Sequence, residues 1–186
     1  MRILSLVMSL AFGTAAFASP LDDYWDSLSS LCGKAFAGEL MEHPEGEDGF
    51  VGHALVMHVR DCSAERIRIP FMVGDDRSRT WVLTRKGDRI ELKHDHRHED
   101  GTPEESTMYG GTSTNEGRAN EQYFPADEQT RRVIGPAFSN IWVMRVYPGE
   151  KFTYGLWRLG TPRVFRVDFD LTTEIEPPQA PWGWED

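Results

Sequence analysis

The sequence predicts an all-β protein, an antiparallel meander of about ten strands closing into a barrel, with one helix before the first strand. Three observations carry this. From residue 34 onward the apolar residues recur with period two, as in Phe165, Val167, Phe169 and Leu171 against Arg166, Asp168 and Asp170. The links are short and rich in turn residues, such as Lys86-Gly87-Asp88, Pro148-Gly149-Glu150 and Leu159-Gly160-Thr161-Pro162. Short links force neighbouring strands to run antiparallel. So many strands suit a closed sheet, because closure removes the edges on which other chains pair. A two-sheet sandwich is the alternative.

The chain opens on Arg2, an apolar run and Ala16-Phe17-Ala18. A positive start, a short apolar stretch and a small-x-small site predict a cleaved secretory signal over residues 1–18. The expected location is therefore periplasmic or secreted. No later stretch is apolar enough to span a bilayer. One barrel domain is expected over 19–176, followed by a Pro/Trp-rich tail, 177–186, extended and packed only through its tryptophans.

The first element is a helix from Ser19 to Gly33. Ser19 suits its N-cap, Pro20 its first turn, and Asp22 and Asp23 the positive end of its dipole. Leu21, Tyr24, Trp25, Leu28 and Leu31 make one apolar face. Gly33 suits a left-handed stop. Strands are expected near 34–40, 51–60, 64–73, 78–85, 88–98, 106–112, 117–124, 138–147, 151–159 and 162–172. A second helix is expected from Ala126 to Val133, ending at Gly135. In an exported chain the two cysteines, Cys32 and Cys62, predict a disulfide. Its loop of about 30 residues gives roughly 3 kcal/mol in the chain-entropy model.

The candidate site lies in "ELKHDHRHEDG", residues 91–101. Extending the alternation of Ile90 and Leu92 puts His94, His96 and His98 on the inner face, near a mouth of the barrel. Residues two apart on a strand sit about 6.6 Å apart on one side, so two imidazoles can converge on one ion. The first and third, about 13 Å apart, cannot. His94 and His96 are therefore the candidate metal ligands, with a divalent ion such as zinc as the cofactor considered and haem second. His98, Tyr109 and His53 are the further candidate ligand contacts. His53 is expected on the apolar face of its strand with Val51, Leu55, Met57 and Val59. The plain alternative is a row of hydrogen-bonded structural histidines.

The formal net charge of −10 argues against nucleic acid, whose binding needs a basic footprint. There is no Gly-x-Ser-x-Gly elbow and no His-Glu-x-x-His pair. Asp168 and Asp170 read as a solvated face, and "EHPEGEDG" as a hairpin loop without ordered calcium-ligand spacing. "MYGGTST" reads as a bulge or bend in a barrel strand, or as a close backbone approach to a ligand.

The run "LKHDHRHEDG", with "MYGG", "YFPAD", "NIWV" and "FRVDFDLT", resembles an uncharacterised family of small exported bacterial proteins. That resemblance implies export and a single domain, with no activity to transfer. The architecture also resembles lipocalin-like barrels, although Gly33-Lys34-Ala35-Phe36 departs from their Gly-x-Trp opening. No catalytic residue is assigned. The expected function is binding of a small ligand or metal through the inner histidines. A histidine- or metal-dependent enzyme and a structural module of the cell envelope, with a protein partner, are the alternatives.

Overall fold

A computed structural model describes residues 18–185; the expected signal, apart from its last residue, lies outside the described residues. Helix α1, Pro20–Ser29, begins as the sequence indicates. The Ser19 and Asp22 side chains cap each other's backbone N–H groups, and Gly33 takes φ +83° after the last turn. Its apolar face, with Leu21, Tyr24, Trp25 and Leu28, is buried.

The strands are β1 (Ala35–Glu42), β2 (Leu55–His58), β3 (Asp61–Cys62), β4 (Arg66–Val73), β5 (Asp76–Arg85), β6 (Ile90–His96), β7 (Tyr109–Thr112), β8 (Glu121–Pro125), β9 (Asn140–Tyr147), β10 (Lys151–Arg158) and β11 (Val164–Ile175). Their order is β7-β6-β5-β4-β2-β1-β11-β10-β9-β8, with β3 paired to β4. Neighbouring ladders are antiparallel, and the sheet curls into a nearly closed barrel. Inward rows fill it: Phe165, Val167, Phe169 and Leu171 of β11 and Ile67, Ile69, Phe71 and Val73 of β4 are all buried. Helix α1 covers one end. Arg85, last in β5, pairs with Asp22 and lies over the Trp25 ring. The Cys32–Cys62 disulfide ties the chain just after this helix to β3, with Cα atoms 6.1 Å apart.

The seam between β7 and β8 is closed by the second helix, α2 (Glu128–Val133), rather than by a ladder. Thr130 Oγ1 accepts from the Gly110 N–H and donates to the Gly110 carbonyl, both at 2.7 Å. The Asp127 N–H donates to the same carbonyl at 2.9 Å. Lys93 reaches across from β6 to Asp127 and to Gln129. Thr130→Val keeps the shape but leaves the buried Gly110 N–H without its acceptor. We expect it to lower the unfolding free energy in urea by about 2 kcal/mol.

Three expectations need correction. Helix α2 is shorter than expected, with Asp127 as its cap, and Gly135 begins a 3-10 turn, Gly135–Ser139. The strand expected from 51 starts at Leu55, because Gly52 takes φ +75° and turns the chain before it. The tail docks by more than its tryptophans. Ala180 and Pro181 are buried, the Trp182 N–H donates to the Arg77 carbonyl, and Arg77 donates to the Ala180 carbonyl at 2.9 Å.

Candidate functional site

At the end of the barrel away from α1 the core stops short and leaves a cavity of about 190 Å³. Its wall is built in register. Trp81 of β5 pairs with His94 of β6, which pairs with Tyr109 of β7. Directly opposed residues point to one face of a sheet, so these three rings stand side by side inside the barrel. Tyr154 of β10 and Trp142 of β9 complete the floor. Trp81 stacks on Tyr154 with centroids 4.4 Å apart and on Phe71 at 4.8 Å. His94 stacks on Tyr109 at 4.4 Å.

The polar atoms of this floor are paired. His94 Nδ1 lies 3.2 Å from the Tyr109 carbonyl, which can only accept, so Nδ1 carries the proton. His94 Nε2 is then the acceptor, and the Tyr154 hydroxyl donates to it at 2.8 Å. Burial, with His96 nearby, pushes the His94 pKa down to about 3, so its ring is neutral at neutral pH. Burial pushes the Tyr109 hydroxyl up to about 12 and Tyr154 well above its ordinary value, so both keep their protons. His96 sits one step nearer the mouth. Its Nε2 is 3.2 Å from the Tyr109 hydroxyl, its Nδ1 3.9 Å from Glu104, and burial lowers its pKa too.

The mouth is charged. Arg79 on β5, Arg158 on β10 and Arg163 just before β11 line it. The β1–β2 segment, residues 43–54, folds over it. Phe50 from that segment packs on Phe165 at 4.8 Å and beneath the Arg79 guanidinium, while Glu47 pairs with Arg163.

The structure brings together His94, His96 and Tyr109 and leaves out the other two candidates. His98 is exposed beyond the end of β6, because Asp100 bonds to Thr102 and Gly101 takes φ +83°, turning the chain there. His53 is exposed in the β1–β2 segment beside Gly74 rather than on an inner face. His53 therefore supplies no third ligand to His94 and His96. Among the described residues no group of three His, Cys, Asp or Glu side chains is placed to hold a metal ion.

Sequence reasoning missed the three arginines, Glu47 and Phe50. The arginines had a signal. Carrying the inner alternation of β10 past Tyr154 and Leu156 reaches Arg158, and carrying that of β11 back past Phe165 reaches Arg163. Glu47 and Phe50 had none, because their place depends on how an irregular segment folds back.

No known family, curated protein or solved structure matches this chain. The expected membership of a family of exported proteins thus gains no support, while the likeness to barrels holds at the level of architecture. The disulfide is present, and no helix among the described residues is long and apolar enough to cross a membrane.

Proposed function

We propose that the protein is an exported barrel that binds a small, compact ligand in the cavity at its open end. The observation that carries this is the cavity itself. A core that filled the barrel would leave no such space; here Trp81, Trp142 and Tyr154, themselves buried, form the floor of a cavity of about 190 Å³. For scale, an apolar cavity of about 150 Å³ accepts benzene. The site therefore suits one or two fused rings, and a tetrapyrrole is too large for it. His94 acts here as wall and hydrogen-bond anchor. Both of its nitrogens are engaged, which favours a fixed binding surface over a general base or a metal ligand.

Titration calorimetry with naphthalene and indole tests the reading, alongside quenching of tryptophan fluorescence. The wild type is expected to bind at least one of them at one site. Leu156→Trp, which adds bulk to the cavity wall, is expected to weaken binding about tenfold or more while the variant keeps its β circular-dichroism spectrum. Equal affinity in the variant, or no binding to the wild type, overturns the proposal.

A further inference from the structure

We propose that the natural ligand is anionic, a planar aromatic carboxylate with its ring in the aromatic floor and its carboxylate on Arg158 and Arg163. This rests on the cavity being a ligand site, as argued above. The inner row of β10 runs Phe152, Tyr154, Leu156, Arg158, and that of β11 runs Phe169, Val167, Phe165, Arg163. Each row is apolar until its last position, where it ends in a guanidinium. The two positions are neighbours, since the Arg158 N–H donates to the Arg163 carbonyl at 3.1 Å. A ligand lying along these rows meets apolar walls first and two cations at the rim.

The ion pairs at the rim leave one guanidinium unmatched. Arg79 pairs with Asp76, and Arg163 pairs with Glu47. Arg158 has no carboxylate partner among the described residues; its Nε donates to the neutral Asn140 amide at 2.8 Å. Arg163 Nε is buried with no hydrogen-bond partner among the described residues. The titratable groups facing the rim from the other strands, His94, His96, Tyr109 and Tyr154, are all uncharged at neutral pH for the reasons given above. Glu104, beside His96, is the remaining acid near the wall. Arg158, a guanidinium at the rim without a carboxylate partner among the described residues, is where a ligand carboxylate gains most, because guanidinium and carboxylate match as a two-point pair.

The stacked rings of the floor set the shape of the rest of the ligand. Trp81, stacked on Phe71 at 4.8 Å and on Tyr154 at 4.4 Å, locks these rings into a rigid aromatic floor, against which a flat ring packs better than a flexible chain. Glu47 then acts as a stand-in. It sits on Arg163 from an exposed segment and gives way to the ligand's carboxylate, so removing its charge strengthens binding.

The test compares 2-naphthoate with its neutral isostere 2-naphthamide, by titration calorimetry on the full chain. The expected result is that wild type prefers naphthoate by about tenfold or more. Arg158→Gln is expected to erase that preference by weakening naphthoate far more than naphthamide, and Glu47→Gln to raise naphthoate affinity alone. Naphthamide binding as tightly as naphthoate, or a preference that survives Arg158→Gln, overturns the anion assignment and leaves the cavity reading standing. Failure of both probes together with naphthalene and indole overturns the cavity reading as well.

Discussion

Gly111→Ala is expected to cost 3 kcal/mol or more in urea unfolding, or to prevent folding outright. A Cβ at Gly111 would lie 1.8 Å from the Pro125 carbonyl oxygen and 2.8 Å from its carbon. Both are backbone atoms, so no side chain can turn aside to make room. The φ of Gly111 is not in the left-handed range, so the cost is contact alone, without strain in the residue itself. Overpacking within a core costs roughly 1–3 kcal/mol when neighbours can shift. Here the neighbour is the strand β8 across the seam, and moving it opens the barrel where α2 alone holds it shut. Gly49→Ala is the control. A Cβ there meets nothing within 4 Å and its φ is ordinary, so its stability should change by no more than about 0.5 kcal/mol. A Gly111→Ala protein within about 1 kcal/mol of wild type would sink this account of the seam.

The second large effect is with pH. Folding stability is expected to fall as the solution is acidified from pH 8 to pH 5, and His94 is expected to supply about 2 kcal/mol of that loss. In the unfolded chain an imidazole takes its proton near 6.5; in the folded protein His94 declines it until about pH 3. Over that interval the unfolded state binds more protons than the native state. Acid therefore favours unfolding, and the stabilisation is recovered as pH rises back through 6.5. His96 and His58, whose pKa values burial also lowers, act in the same direction. The carboxylates held low by hydrogen bonds or ion pairs, Asp22, Asp76 and Asp127 among them, contribute their full stabilisation above the unfolded value of 3.8 and lose it only as the pH falls below that, through their lowered folded values. The interval from 6.5 to 5 thus isolates the histidines. Urea unfolding across it should show a slope for wild type that His94→Gln reduces by close to one proton. An unchanged slope would mean that His94 reaches water.

Several parts of this site were legible in the chain, and the physics says which. The inward direction of His94 followed from Ile90 and Leu92, because side chains on a strand alternate whatever the strand packs against. The same rule, carried two residues further, failed for His98, since period two holds only while the backbone stays extended and Asp100-Gly101 turns it. His53 failed at the other end of its strand for the same reason at Gly52. The double glycine of "MYGGTST" lies in a strand, as its plainer reading has it, and what comes close to it is protein backbone, the Leu92 carbonyl at Gly110 and the Pro125 carbonyl at Gly111, neither of which the local sequence identifies.

What the sequence determined by itself is therefore local and periodic: the capped first helix, the inward rows of the strands, the antiparallel links and the cysteine pair. Each depends on neighbours in the chain, through backbone geometry and turn chemistry. What the tertiary structure alone decided is which rows meet across the barrel. The pairing of His94 with Tyr154, the seam of Thr130 on Gly110, and Glu47 folded onto Arg163 join residues between 20 and 116 positions apart. Such contacts are set by the shape into which all the strands close together, and no stretch of chain short enough to carry a motif contains them.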